Sequence, residues 1–173
     1  SKSIVNLVSG IKTYVRIEDT GLVPIDFNST VLESLDLVTF LYGQDHIELR
    51  RELVEGMPFI MGNIGKLQQV LMNLLSNARD AVEPCENRVI SVVTREANGD
   101  VILEVADTGC GIAPADLGKV FVSGYTTKPV GKGSGMGLDL VSKLIQGMGG
   151  SITVESELDK GTTFRVAFPR HEF

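Results

Sequence analysis

The sequence predicts a two-layer α/β fold in which helices cover one face of a β-sheet. Three observations support this prediction: an apolar helical stripe within residues 65–82, two β-rich segments joined by Asn98-Gly99, and two more β-rich segments after Gly149-Gly150. Three main helices and four or five strands are expected, and a sheet of that size buries one face against helices. With 173 residues, 43% of them hydrophobic, the chain can form one domain with a buried core.

The N-terminal part of the chain predicts two helices joined by a hinge. The first lies within residues 1–20 and has apolar residues at nearly coiled-coil spacing, which is typical of a helix that packs on a partner helix. A glycine and a proline end this segment, and Asn28 or Ser29 is expected to cap the second helix. The apolar stripe comprises Ile4, Leu7, Val8, Ile11, Tyr14 and Val15.

The rest of the chain alternates between strand-like and helix-like patterns. Strands are expected where β-branched and aromatic residues cluster, and helices where apolar residues recur every three or four positions. The expected strands are 47–54, 88–95, 101–106, 152–156 and 163–168, with 58–61 as a candidate short strand before a turn. The expected helices after the second are 65–82, a short one at 114–120 and 136–148. Residues 124–137 include five glycines, which predicts a mobile loop.

The long helix carries a polar stripe away from its apolar face. At 100° per residue, the apolar residues from Leu67 to Val82 share one face, and the stripe lies roughly 140° away. The stripe comprises Gln69, Asn73, Asn77 and Asp80. Asparagine is a poor helix former, and its amide oxygen suits a hydrated Mg²⁺ ion. A metal-ligating face is one interpretation, and a solvated helix face is the other.

Asp107 ends an apolar strand and is followed, after Thr108, by Gly109-Cys110-Gly111. A carboxylate in this place can accept a hydrogen bond from the exocyclic amine of adenine, whereas the carbonyl of guanine would be repelled. The glycines would let the backbone approach a flat ring closely. The alternative is an ordinary turn that begins with Asp-Thr-Gly.

The glycine-rich loop carries groups that suit phosphate. Lys128 and Lys132 bring two cations, and Thr126 and Thr127 bring hydroxyl groups. The helix after the loop offers free N–H groups at its positive end. Neither GxxxxGK[ST] nor GxGxxG occurs, which excludes the Walker A and dinucleotide-binding loops. A surface loop without a ligand is the alternative.

Five motifs in order resemble the N, G1, F, G2 and G3 boxes of the catalytic and ATP-binding domain of sensor histidine kinases. They are Asn73-Leu-Leu-Ser-Asn77-Ala, Asp107-x-Gly-x-Gly111, Phe121 with Thr126-Thr127-Lys128, Gly133-Ser-Gly-Met-Gly137-Leu138 and Gly161-Thr162-Thr163-Phe164. The resemblance covers about residues 25–169 and implies a catalytic domain at 25–173. Its fold would be the Bergerat-type sandwich shared with gyrase and Hsp90 ATPases, a mixed sheet covered on one face by three helices. Residues 1–20 resemble the end of the dimerisation and phosphotransfer hairpin that precedes this domain.

The resemblance also implies that ATP and Mg²⁺ are bound. Asn77 would ligate the metal with Asn73 beside it, Asp107 would bind adenine, and Lys128 would lie near the terminal phosphate. The other nucleotide-binding residues would be Asp80, Gly109, Gly111, Ile112, Tyr125, Thr126, Thr127, Lys132, Gly133, Ser134, Gly135, Met136, Gly137, Leu138 and Thr162. The chain departs from the family pattern at Gly124-Tyr125, where a second aromatic residue is usual one position earlier, and at Met136, where leucine is usual.

The implied partners are the chain's own hairpin, a response regulator and a second copy of the full-length protein. The phosphoacceptor histidine is expected upstream of Ser1. His46 precedes a strand, and His171 lies in the terminal tail, so neither matches a hairpin position. The resemblance implies a cytoplasmic domain within a full-length protein that is soluble or membrane-associated.

Three functions compete at this point. The first is transfer of the γ-phosphoryl group to histidine, and the second is hydrolysis by a conformational ATPase of the gyrase or Hsp90 kind. Those ATPases place a glutamate at position 73 to activate water, and Asn73 cannot act as a general base. The third is a nucleotide-binding regulatory module without transfer activity, which the intact motifs disfavour.

The overall composition excludes several classes of site. A net charge of -6 disfavours a surface for nucleic acid or for an anionic membrane, because either needs clustered basic residues. Two cysteines, Cys85 and Cys110, lie in contexts that do not predict a disulfide framework or a four-ligand zinc site. No apolar segment is long enough to span a bilayer.

Overall fold

The computed structural model describes residues 21–56, 58–122 and 137–173. Within these ranges, strands and helices follow one another in a mixed order. The strands are β1 (Val23–Asp26), β2 (Glu48–Glu52), β3 (Phe59–Gly62), β4 (Val89–Ala97), β5 (Asp100–Asp107), β6 (Ser151–Glu157) and β7 (Gly161–His171). The helices are α1 (Phe27–Gln44), α2 (Ile64–Val82) and α3 (Leu138–Gly147), with a 3₁₀ turn at Leu117–Lys119. The helix expected within residues 1–20 lies outside the described residues.

The described strands form one mixed sheet in the order β1-β3-β7-β5-β4-β2, with β6 also paired to β7. All of these pairs are antiparallel except β2 with β4, which is parallel. Strands β6 and β3 pair with different stretches of β7, and β5 pairs along most of its length. The predicted two-layer fold with a mixed sheet and three helices is therefore confirmed.

The core lies between the sheet and the three helices. The apolar face predicted for α2 is buried, and Leu67, Leu71 and Leu74 have no exposed surface. On β7 the buried residues alternate with partly exposed ones, as expected for a strand with one face against helices. Because α2 packs on β5 and β7, its polar stripe is turned away from the sheet.

The β4–β5 hairpin agrees with the turn that the sequence predicts. Two residues, Asn98 and Gly99, connect the strands, and both have positive φ angles, 55° and 82°. Left-handed conformations at both positions are what a two-residue type I′ turn requires. This turn fixes the register in which Asp107 lies opposite Ile90.

The start of α1 differs from the prediction. Asp26, rather than Asn28 or Ser29, is the N-cap, and its Oδ1 accepts a hydrogen bond from the Ser29 backbone N–H at 3.2 Å. Asn28 lies inside the helix, where its side chain donates to the Val54 carbonyl at 2.8 Å and accepts from the Thr94 hydroxyl at 2.9 Å. The Asn28 side chain therefore forms hydrogen bonds with distant residues instead of capping the helix as the local sequence pattern predicted.

Three further differences concern short or terminal elements. Strand β1 was not predicted, because four residues that include Pro24 carry too little strand pattern, although proline suits an edge strand. The helix expected at 114–120 is only a 3₁₀ turn, since so short a segment rarely sustains an α-helix. His171 lies in β7 opposite Phe59 rather than in a tail.

Candidate functional site

Asp107 is the last residue of β5 and lies on the face of the sheet that the helices cover. Side chains alternate along the strand, so Asp107 shares this face with the buried Leu103 and Val105. Its Oδ1 accepts a hydrogen bond from the Gly109 backbone N–H at 2.8 Å, and its partner in β7 is Thr162. The turn expected as an alternative is thus present, with the carboxylate as part of it.

Burial raises the pKa of Asp107 to about 6, although hydrogen bonds from the Gly109 and Thr162 backbone N–H groups lower it. The carboxylate therefore predominates at neutral pH, in surroundings that disfavour its charge. Asp107 is thus an ionised side chain in a partly buried place at the end of an inner strand. Such a carboxylate is typical of a functional site rather than of a structural turn.

The loop after Asp107 is held between α2 and the β6–β7 hairpin. The Cys110 backbone N–H donates to the Ala81 carbonyl at 3.2 Å, and the Asp159 N–H donates to the Cys110 carbonyl at 2.9 Å. A Cβ atom on Gly109 would lie 2.4 Å from the Ala81 carbonyl oxygen. A Cβ atom on Gly111, whose φ is +73°, would lie 2.2 Å from the Glu157 carbonyl oxygen. These two glycines therefore allow the loop to pack closely against the backbone of α2 on one side and of the β6–β7 hairpin on the other.

A hydrogen-bond network connects Thr162 and Ile112 beside Asp107. The Ile112 N–H donates to the Ser156 hydroxyl at 2.7 Å, and that hydroxyl donates to the Gly161 carbonyl at 3.0 Å. Since the Ser156 proton is used in this way, the Thr162 hydroxyl is the donor in its 2.8 Å contact with Ser156. The structure thus brings Asp107, Ile112 and Thr162 together, as expected.

Ser156 is a site residue that the sequence interpretation missed. It follows Ile152 and Val154 on the helix-facing side of β6, where an apolar residue would be the default. The signal available in the sequence was a serine at a position of the strand where an apolar residue is expected, six residues before the predicted site residue Thr162.

The polar stripe of α2 is only partly a solvated face. Gln69 and Asn73 are 6% and 4% exposed, so the solvated-face interpretation is wrong for both, whereas Asn77 and Asp80 are partly buried. Within the described part of the chain, Gln69 Nε2 is buried without a hydrogen-bond partner. Because the Asp107 loop contacts α2 at Ala81, the stripe leads from that loop toward the N-terminal end of α2.

Most of the predicted phosphate-binding residues fall outside the described residues. They are Tyr125, Thr126, Thr127, Lys128, Lys132, Gly133, Ser134, Gly135 and Met136. Gly137 is the N-cap of α3, without a side-chain hydrogen bond to cap it, and Leu138 is the first residue of that helix. The described residues contain no group of three or more His, Cys, Asp and Glu side chains that could hold a metal ion.

Residues 62–172 match the family model described as histidine kinase-, DNA gyrase B- and HSP90-like ATPase. The chain belongs to this ATPase family. The matched range includes α2, Asp107 and Thr162. The fold, with its mixed sheet and one layer of helices, is that of the family's histidine kinase catalytic domains.

Individual relatives of this family member are sensor kinases. The sensor histidine kinase ZraS of Escherichia coli K12 is 34% identical over 163 residues, which cover 94% of this chain and 34% of ZraS. The chain thus spans about a third of the length of that relative.

Solved structures of the family give the same result. The catalytic domain of histidine kinase ThkA is 25% identical with a TM-score of 0.76, over 86% of this chain and 95% of that one. Full-length ShkA in complex with AMPPNP is 29% identical with a TM-score of 0.76, over 88% of this chain and 32% of that one. A complex of ThkA with the response regulator TrrA, at 21% identity and a TM-score of 0.74, shares the fold over 98% of this chain and 49% of that one.

Among the described residues, no helix is long and apolar enough to cross a bilayer.

Proposed function

We propose that this ATP-binding domain is the catalytic part of a sensor histidine kinase that transfers the γ-phosphoryl group of ATP to a histidine outside the 173 residues. The observation that carries the proposal is the amide at position 73. Asn73 is 4% exposed on the α2 stripe, where related hydrolytic ATPases have a glutamate that activates water. An amide cannot accept a proton from water, so transfer to a stronger nucleophile is favoured over hydrolysis.

The residues around Asp107 fit the adenine base. The Gly109 and Thr162 backbone N–H groups both donate to the Asp107 carboxylate, which has about four acceptor positions, so capacity remains for the exocyclic amine of adenine. Ile112 and Thr162, fixed by Ser156, would complete the pocket around the base. At neutral pH the predominant carboxylate of Asp107 can act only as an acceptor, which disfavours the carbonyl of guanine at that position.

The α2 stripe fits the metal and phosphate end of the nucleotide. Mg²⁺ usually retains several waters and takes few protein ligands, so the amide oxygen of Asn77, with Asn73 as a second candidate, meets its preference. When bound, Mg²⁺ supplies neutralisation of the negative charge on the phosphates. Asp80 on the same stripe, and Lys128 in the glycine-rich segment, are proposed as further contacts to the nucleotide and its hydration shell.

Catalysis by this chain would consist mainly of positioning. The stripe and the Asp107 pocket hold the two ends of the nucleotide at fixed places on one rigid helix–sheet unit, which orients the γ-phosphoryl group for in-line attack. The attacking group is a histidine nitrogen of the preceding hairpin. The proposed partners are that hairpin, a response regulator like the one in the ThkA complex, and a second copy of the full-length protein. We place this domain in the cytoplasm.

The proposal divides the chain into the end of the hairpin at residues 1–20 and a catalytic domain. The sequence suggests that the domain begins at residue 25. Since β1 begins at Val23 and pairs with β3, we propose that the structural unit includes β1 and begins no later than Val23.

A transfer assay tests the proposed function. The chain is mixed with a histidine-bearing hairpin domain of a ZraS-like kinase and ATP labelled at the γ-phosphate. Acid-labile label on the hairpin is the expected result, and it should be lost with Asn77→Ala. Release of free phosphate without labelled hairpin would instead support the conformational ATPase, and ATP binding with neither product would support a regulatory module.

A further inference from the structure

Cys85 and Cys110 are 25 residues apart in the sequence but contact the same backbone carbonyl group. The Cys85 Sγ lies 3.7 Å from the Ala81 carbonyl oxygen, and the Cys110 backbone N–H donates to that oxygen at 3.2 Å. The Cys85 sulfur and the Cys110 nitrogen are therefore at most 6.9 Å apart, the sum of these two distances. The Cys85 sulfur therefore lies within reach of the Cys110 backbone, and a bond of about 2 Å between the two sulfurs needs a local shift of the loop.

The two thiols differ in access to solvent. Both are free, Cys110 is exposed, and Cys85 is partly buried against the last turn of α2. This pairing, an accessible thiol with a second thiol close behind it, is typical of oxidation-sensitive sites rather than of structural disulfides. We propose that Cys85 and Cys110 form a reversible thiol-oxidation site for hydrogen peroxide and other small hydroperoxides.

The proposed reaction has two steps. The Cys110 thiolate attacks one peroxide oxygen, so an S–O bond forms, the O–O bond breaks, and hydroxide leaves. The Cys85 thiolate then attacks the sulfur of this sulfenic acid, so an S–S bond forms and a second hydroxide leaves. The thiol protons convert both hydroxides to water. Two sulfurs are oxidised, one peroxide is reduced to two waters, and an added dithiol reverses the change.

A bridge at this place would act on the nucleotide site. Cys110 belongs to the loop that positions Asp107, and this loop is already in close contact with α2 on one side and with the β6–β7 hairpin on the other. Drawing the Cys110 side chain toward Cys85 must shift Gly109, whose N–H binds the Asp107 carboxylate. We therefore expect the oxidised chain to bind ATP more weakly, by about fivefold or more.

Peptide mapping combined with ATP titration tests the proposal. The chain is treated at pH 8 with one equivalent of hydrogen peroxide, blocked with iodoacetamide and digested with trypsin without reduction. The expected product links the peptides 80–88 and 96–119, which carry the two cysteines. Calorimetric titration of ATP should show the loss of affinity, and dithiothreitol should restore it.

Serine variants separate the two roles. Cys85→Ser should retain sulfenic acid at Cys110, detected with dimedone, without the linked peptide. Cys110→Ser should resist peroxide and keep its ATP affinity. Absence of the linked peptide in the folded wild-type chain, or its presence only between two chains, would overturn the proposed site. A linked peptide with unchanged ATP affinity would overturn its coupling to the nucleotide. Neither result depends on phosphoryl transfer, so failure of the proposed kinase function would be seen separately.

Discussion

Asp107 keeps a carboxylate where burial opposes the charge, and this has a measurable consequence for stability. Its ordinary pKa is 3.8, and burial raises it to about 6 in the folded protein. Below about pH 4 the group is protonated in both folded and unfolded states. As the pH rises toward 6, the unfolded chain loses the proton first, so the folded state is progressively disfavoured.

We predict that Asp107→Asn raises the free energy of unfolding by about 1–3 kcal/mol at pH 7, with the gain decreasing between about pH 6 and about pH 4 and absent at lower pH. The same change should weaken ATP binding by roughly tenfold or more. The asparagine side chain has only one acceptor oxygen and no charge, so it is a poorer acceptor for the adenine amine. Urea unfolding at several pH values and calorimetric ATP titration measure the two effects. Equal ATP affinity in the variant would contradict the adenine assignment.

Gln69 gives a second prediction at this scale. Its buried Nε2 has no hydrogen-bond partner within the described residues, which costs free energy in the folded state. Gln69→Met keeps a similar volume and removes that donor, so the free energy of unfolding should rise by about 1 kcal/mol. Thermal and urea unfolding measure the change.

Gln68→Met is the matched control for this substitution. Gln68 is adjacent in α2 but only partly buried, so its replacement should change stability by less than about 0.5 kcal/mol. A Gln69→Met variant less stable than this control would show that the amide has a stabilising partner.

Individual residues also show where sequence reasoning succeeds. The proximity of Asp107 and Thr162 was predictable because both belong to motifs that the resemblance assigns to one site, whereas their roles stay a prediction. The cap of α1 and the role of Ser156 were not, because the partners that decide them, Thr94 for Asn28 and Ile112 for Ser156, are 66 and 44 residues away.

At the scale of elements, the loop after β5 depends on the absence of a side chain at Gly109. A Cβ atom there would lie 2.4 Å from a backbone oxygen of α2, which cannot move as a flexible side chain could. We predict that Gly109→Ala lowers the free energy of unfolding by at least about 2 kcal/mol and also weakens ATP binding, since the loop carries the N–H that binds Asp107.

Gly118→Ala provides the control for Gly109→Ala. A Cβ atom on Gly118 would meet no atom of the described residues within 4 Å, and its φ is not positive, so stability should be unchanged or slightly higher. Urea unfolding and ATP titration of both variants make the comparison. A tolerated Gly109→Ala would show that the loop can withdraw from α2.

The elements with strong periodic patterns were predictable from sequence, and the weak ones were not. Helix α2 and the β4–β5 hairpin carry an apolar stripe and a turn signal that agree with the final fold. Strand β1 contains Pro24 and only four residues, so its existence depends on pairing with β3 rather than on its own pattern.

For the whole molecule, the proposed division predicts how truncation acts. Removing residues 1–20 should leave the unfolding transition and ATP affinity unchanged. Removing residues 1–26 deletes β1 with the buried Ile25 and the Asp26 cap, and should cost at least about 3 kcal/mol of stability. Equal stability of the two truncated chains would contradict the assignment of β1 to the structural unit.

The position of β7 constrains how this protein can be made. This strand follows the other described strands in the sequence, pairs with β3, β5 and β6, and supplies Thr162 opposite Asp107. During translation, β3, β5 and β6 therefore await a partner that is synthesised after them, and the long-range pairing of β3 and β5 with β7 forms slowly. A nascent chain stalled before residue 161 should be unable to retain ATP, and it should expose the edges of β3 and β5 to chaperones.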